Sequence, residues 1–291
     1  MKEAGPVPTH CIAMATGCTV TLTGNTEDAS HKDITGMASA PTIVSKAWTV
    51  QVDSLDVTNA ALFLAAIAGT PITLMWDETS TTDNQTIAGE AFARTGQAYI
   101  NDVTLNFNNR ENSAKSVQFT GTGELTKITT TPTTQVMPVQ GLTKGQFVRL
   151  FLSSDNTATP NAVIAAAMQL SFHVSVTLED ATTKDTTGDW VIQEPTAISY
   201  DISTTALVRS DETITSSTTG QNLSSIEEIF EAGTPVKWAI ANVSGANQRT
   251  KGSTIVSGSV IITQLTLNGP NRQNADYTAQ FTGYGDYSTA A

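Results

Sequence analysis

The chain repeats itself, and a repeat constrains a fold more than any single motif because each copy has to build the same unit from the same pattern. Three blocks recur in one order, with offsets of 152 to 164 residues. Glu27-Asp28-Ala29-Ser30-His31-Lys32-Asp33 is answered by Glu179-Asp180-Ala181-Thr182-Thr183-Lys184-Asp185, and Ala68-Gly69-Thr70-Pro71-Ile72 by Ala232-Gly233-Thr234-Pro235-Val236. In the third block, Val103-Thr104-Leu105-Asn106 runs through Asn109-Arg110 and Asn112 to Gln118-Phe119-Thr120-Gly121. Its counterpart is Leu265-Thr266-Leu267-Asn268, Asn271-Arg272, Asn274 and Gln280-Phe281-Thr282-Gly283. Collinear blocks at nearly one spacing are expected of a tandem duplication.

The segment around Thr126 to Thr134 has no apolar period and reads as an exposed link. The expected organisation is copy 1 over residues 1–125, a linker over 126–145 and copy 2 over 146–291. Gln146 to Leu152 reads as a strand, whereas Met1 to His10 does not, so copy 1 either lacks that strand or receives one from elsewhere.

Within each copy the dominant period is two. Tyr99, Val103, Leu105 and Phe107 alternate with polar residues, as do Ile261, Leu265 and Leu267. Trp48, Val50 and Val52 alternate likewise and align with Ile198, Tyr200 and Ile202, while Val20 with Leu22 aligns with Val174 and Val176. One segment per copy follows a helical period: Leu62, Ala65 and Ala66, and Ile226, Ile229 and Phe230. Asn59 or Asn222 is placed to cap it, and Gly69 or Gly233 to end it. The 49 threonines, about one residue in six, suit pleated strands. The expected fold is mainly β, each copy a β-sandwich or half-barrel with one short α-helix.

Composition excludes several functions. The net charge of −12 is spread along the chain and the 15 cations do not cluster, which argues against tight binding of a phosphate backbone. No apolar run reaches the ~18 residues that span a bilayer as a helix. The N-terminal residues lack the basic start and apolar core of a secretory signal, which predicts synthesis and retention in a cytoplasm. Cys11 and Cys18 are the only cysteines and read as small buried residues rather than a disulfide framework. His10, His31 and His173 are the only histidines, and His10, Cys11 and Cys18 lack the paired spacing of a zinc site, so all read as ordinary surface and core residues. No nucleophile elbow, phosphate-binding glycine loop or zinc-protease helix occurs.

The repeated acidic block could be a calcium loop or a carboxylate pair. Lys32 or Lys184 among Glu27, Asp28, Asp33 or Glu179, Asp180, Asp185 would neutralise it, and the EF-hand glycine and closing glutamate are missing. The expectation is a solvated, ion-paired turn with no catalytic, cofactor or metal residue. Arg110 and Arg272 fall at expected hairpin turns, where a repeated arginine is a candidate subunit contact.

In this order the motifs resemble the major tail protein, or tail tube protein, of long-tailed bacteriophages. The resemblance rests on a leading strand such as Phe147 to Leu152, the alternating strand Phe172 to Leu178, and the Asp-Ala-Thr-x-Lys-Asp stretch of residues 180–185. It continues through an aromatic strand such as Trp48 to Val52, the short helix, Gly-Thr-Pro-[Ile/Val] and a late strand pair. It covers nearly the whole chain twice, except that copy 1 lacks the leading strand. The resemblance implies a subunit whose strands join its neighbours into closed rings, stacked into a tube that passes DNA from capsid to host. With two domains per chain, it implies rings of three chains, tail terminator and tail tip proteins as partners, genomic DNA in transit without specific binding, assembly in the host cytoplasm and residence in the virion tail. The alternatives at this stage are a surface or adhesin array of immunoglobulin-like modules, a tube component of a contractile injection system, and an enzyme on a β-sandwich, for which Trp48, Trp76, Trp190 and Trp238 are too scattered to suggest a sugar cleft.

Overall fold

The computed structural model describes residues 12, 15–29, 39–55, 64, 67, 69–76, 93–128, 142–186, 188–208, 221–244 and 249–289. The first half contributes β1 (Ala15–Asp28), β2 (Pro41–Ser54), β3 (Ile72–Trp76), β4 (Arg94–Asn106) and β5 (Ala114–Lys127). The second contributes β6 (Val148–Leu152), β7 (Ala162–Val163), β8 (Ala167–Asp180), β9 (Gln193–Leu207), α1 (Leu223–Ala232), β10 (Val236–Ser244), β11 (Thr250–Asn268), β12 (Asp276–Gly283) and β13 (Ser288–Thr289). The fold is mainly β, as expected. Its strands form one antiparallel sheet in the order β1-β2-β5-β4-β8-β9-β12-β11-β10-β6-β7, with β3 on β4 and β13 on β11.

The same order occurs in both halves, as β1-β2-β5-β4-β3 and as β8-β9-β12-β11-β10. Register fixes the correspondence. Val50 pairs with Phe119 and Ile202 with Phe281, and the two phenylalanines hold one place in the repeated Gln-Phe-Thr-Gly. Val50 therefore corresponds to Ile202, and Trp48 to Tyr200, two residues away from the alignment expected from alternation. Val20 pairs with Val50 and Phe172 with Ile202, so Val20 corresponds to Phe172 and Leu22 to Val174, again two residues from expectation. A slip of two keeps every side chain on its face, which is why alternation cannot detect it.

Irregularities recur as well. In β1·β2 the register shifts at Ala15/Gly17 and Asn25/Thr26, and in β8·β9 at Ala167/Gln169 and Thr177/Leu178, each 152 residues on. The shift at Ile100/Asp102 between β4 and β5 recurs at Ile262/Gln264 between β11 and β12, 162 residues on. A bulge of this kind reverses the faces. Ala98 and Ile100 are buried before it and Val103 and Leu105 after it, so Tyr99 does not share a face with Val103 as the simple alternation predicts. Ile261 is displaced from Leu265 in the same way, with Val260 and Ile262 buried beside it.

The short helix of the second half forms as predicted. The Asn222 side chain accepts from the Ser225 N–H at 3.0 Å, and Gly233 ends the helix in the left-handed region at φ 60°. Ile226 is fully buried and Ile229 half-buried, but Phe230 stays exposed, contrary to the expected apolar face. In the first half, Leu64 is helical and buried with Ile67, and Gly69 has φ 106°. Asn59, Leu62, Ala65 and Ala66 lie outside the described residues.

One hydrophobic core runs through both halves, from Trp48, Val103 and Phe119 to Phe172, Trp238 and Phe281. The expected leading strand starts at Val148 rather than Gln146, after a 3-10 turn over Gly145–Phe147, and pairs with β10 and β7. At the corresponding place in the first half, β3 pairs with β4 alone among the described strands. β5 runs on to Lys127, two residues past the expected boundary, and residues 129–141 of the linker lie outside the described residues.

Candidate functional site: the seam between the two strand sets

The two strand sets meet where the second half of β4 pairs with β8. Asp102, Val103, Thr104, Leu105 and Asn106 lie opposite Ser175, Val174, His173, Phe172 and Ser171. Phe107 and Leu170 exchange both backbone hydrogen bonds, at 2.8 and 3.2 Å, and so fix the phase of the ladder. Leu105 with Phe172 and Val103 with Val174 are therefore hydrogen-bonded pairs, and Thr104 with His173 is a closer, non-hydrogen-bonded pair. The hydrogen-bonded pairs face the core, and Val103, Leu105, Phe172 and Val174 are all 0% exposed. Phe172 packs in turn on Trp238, Tyr200 and Tyr287 at centroid distances of 5.2, 6.2 and 6.2 Å. Across the same seam, the Tyr287 hydroxyl donates to the Leu64 carbonyl at 2.7 Å.

On the opposite face, His173 is held between two carboxylates. Its Nε2 lies 2.6 Å from Asp102 Oδ2, across the seam, and its Nδ1 lies 2.9 Å from Asp201 Oδ1 on β9. Both ring nitrogens must carry protons to donate to both carboxylates. Burial pulls the imidazole pKa down, but hydrogen bonds to Asp102 and Asp201, and the charges of both, outweigh it and hold the pKa above its ordinary value. The arrangement does not suit metal binding or catalysis. The carboxylates sit on opposite sides of the ring and do not converge on one point, and no free nitrogen is left to act as a base. Among the described residues no group of three or more His, Cys, Asp or Glu is arranged to hold a metal ion.

A second set of contacts crosses the seam through the turn between β8 and β9. The Lys46 N–H on β2 donates to the Asp189 carbonyl at 2.6 Å, the Val191 N–H donates to the Lys46 carbonyl at 3.0 Å, and Lys46 Nζ pairs with Asp189 Oδ2 at 3.1 Å. The Gly123 N–H donates to the Val191 carbonyl at 2.8 Å, and the Gln193 N–H to Thr122 Oγ1 at 3.0 Å. The segment entering the second half also docks on the turn between β4 and β5. Ser113 donates to the Thr143 carbonyl and Gly145 to the Glu111 carbonyl, at 2.8 and 2.9 Å.

The second copy of the repeated acidic block lies at the turn between β8 and β9, and the first begins at the end of β1. Glu27 and Asp28 end β1, and Glu179 and Asp180 end β8, all exposed, while Lys32 and Asp33 lie outside the described residues with His31, His10 and Cys11. Asp180 accepts from the Thr182 N–H at 2.8 Å, and the Thr182 hydroxyl and backbone hydrogen bonds hold its carboxyl below the usual range. Lys184 and Asp185 are exposed in the same loop. At the turn between β8 and β9, Asp189 forms an ion pair with Lys46. Arg110 and Arg272 both sit in turns with left-handed backbones, at φ 66° and 62°, and both are exposed. Cys18, expected to be buried, is exposed on β1. By its local sequence His173 is an ordinary strand residue. The signal that marks it is a joint change between the copies: the positions corresponding to His173, Asp102 and Asp201 are Thr21, Gln264 and Thr49, so all three ionisable groups are gained or lost together.

Fold and seam define a mainly β chain whose two strand sets join edge to edge in one sheet. No family model matches the chain, and no curated protein matches it. Among solved structures, the chain is similar to one described as the tail of an empty GTA particle computed with helical refinement and C6 symmetry. The TM-score is 0.39 at 19% identity over 51% of this chain and 99% of that one. A structure of the virion of a native gene transfer agent particle gives 0.36 at 19% identity over the same shares. The SPP1 tail tube gives 0.37 at 14% identity over 53% of this chain and 80% of that one. Similarity at this level carries no inference about activity.

Proposed function

We propose that the chain is a structural subunit of a tail tube, a tandem duplication whose two domains both take places in a ring. The supporting observation is the seam. The sheet order, the bulges and the left-handed arginines occur twice, and the two sets join through backbone pairing and an apolar core rather than through a cleft. A ring of six domains then needs three chains and has pseudo-six-fold symmetry. Stacked rings form a conduit for DNA in the virion tail, ending on terminator and tip proteins, and the acidic balance keeps DNA in transit from adhering. Closing a ring also removes the open strand edges that would otherwise aggregate. Lys32, Asp33, Lys184 and Asp185 have no catalytic part in this reading.

The test is the mass and image of assemblies formed by the purified full chain. Rings of three chains, seen as six lobes in negative stain, are the expected result. Rings of six chains with twelve lobes in one layer would overturn the stoichiometry, and a chain that stays monomeric at every concentration would overturn the reading.

A further inference from the structure

We infer that β11 of one chain pairs with β1 of the next in one defined register, through Gln264-Leu265-Thr266-Leu267-Asn268 against Thr23-Leu22-Thr21-Val20-Thr19. The inference rests on the self-assembly reading and names its surface. It follows from the correspondence of the two strand sets. Residues 102–106 of β4 correspond to 264–268 of β11, and residues 171–175 of β8 correspond to 19–23 of β1. The first pair of segments is joined within the chain. The second pair is left open at the two ends of the sheet path: among the described strands, β1 pairs only with β2, and β11 has no partner opposite β12 beyond Val260.

The open segments carry the side chains that a seam would cover. Val103, Leu105, Phe172 and Val174 are 0% exposed within the chain. Their counterparts are Leu265, Leu267, Val20 and Leu22, of which Leu22 is 61% and Leu267 53% exposed. Large aliphatic groups held in water, on strands whose backbones are also open, call for a partner with the matching edge. A second copy of this chain has that edge, because its β1 repeats what β8 offers to β4. The contact is head-to-tail, and it closes when the rotation relating the two strand sets returns to its start. Transferring the intrachain ladder gives Leu265 opposite Leu22 and Leu267 opposite Val20 as hydrogen-bonded pairs. Thr266 opposite Thr21 is then a non-hydrogen-bonded pair, the arrangement that brings Cβ atoms close.

Cysteine pairs test the register in the full chain carrying Cys11→Ser and Cys18→Ser. Thr21→Cys with Thr266→Cys is expected to yield disulfide-linked dimers and trimers on mild oxidation, read on a non-reducing gel. Thr21→Cys with Leu265→Cys, slipped by one residue to the other face, is expected to yield none. Asn106→Cys with Ser171→Cys should close within one chain and shows that the seam geometry accepts a disulfide. Assemblies in which this control closes while Thr21/Thr266 does not, or in which the slipped pair closes instead, would overturn the register and leave self-assembly standing. A wild-type chain that never assembles would overturn both. In addition, Leu22→Lys should leave a folded monomer by circular dichroism and abolish assembly, and assembly at the wild-type level by this variant would count against the seam.

Discussion

Two carboxylates, one on each side of the ring, favour the protonated form of His173. A neutral imidazole can donate to only one of Asp102 and Asp201, so losing a proton breaks one of the two contacts. The folded pKa lies above the unfolded value of ~6.5, so the stabilisation is fully present below that value and is lost as pH rises through the folded pKa. The groups are about a third exposed or more, and solvent screening keeps the effect small. The melting temperature is therefore expected to fall by about 1–3 °C between pH 6 and pH 9 from this group. In His173→Thr, which copies Thr21, that part of the fall should vanish in parallel scanning calorimetry, and an unchanged pH slope would contradict the assignment. The clamp leaves its trace in the sequence only when the two copies are compared, because Asp102 lies 71 residues away, on a strand whose pairing with β8 no local pattern encodes.

At the scale of elements, the two strand sets use one device to seat an aromatic at the same place. Trp48 lies against Gly121, and a Cβ there would overlap its indole, while a Cβ on Gly283 would come within 2.6 Å of the Tyr200 ring at the corresponding place. The polar ends of both rings are satisfied, Trp48 Nε1 by the Gly123 carbonyl at 3.2 Å and the Tyr200 hydroxyl by the Ser259 carbonyl at 2.6 Å. Gly121→Ala and Gly283→Ala should each cost ~1–3 kcal/mol by overpacking, measured by denaturant unfolding, with m-values unchanged. A variant as stable as the parent would show that the ring can move aside. What was legible at this scale was local: the Asn222 cap, the Gly233 stop and the alternation of most strands each need only neighbouring residues. Bulges were not legible. The shift at Ile100/Asp102 turns Tyr99 off the face of Val103 without any change in composition, and the two-residue slip that pairs Trp48 with Ile198 instead of Tyr200 leaves the alternation intact.

At the scale of the whole molecule, chains of like charge have to come together. Each carries a formal charge of −12, so its long-range interaction with a second copy is repulsive. The segments inferred to meet, residues 19–23 and 264–268, contain no ionisable side chain, so no ion pair between them offsets that repulsion. Their attraction comes from backbone hydrogen bonds and from burial of Val20, Leu22, Leu265 and Leu267, which salt does not screen. Added salt shortens the Debye length from ~30 Å at 0.01 M to ~10 Å at 0.1 M and ~3 Å at 1 M, weakening the repulsion and sparing the attraction. Assembly should therefore strengthen as sodium chloride rises from about 0.01 to 0.5 M, followed by sedimentation velocity at fixed protein concentration. The intrachain seam, with Lys46–Asp189 and Asp102–His173 across it, should respond in the opposite sense and lose a little stability over the same range. Assemblies that dissociate with salt would mean that ion pairs, not an apolar strand edge, hold the copies together.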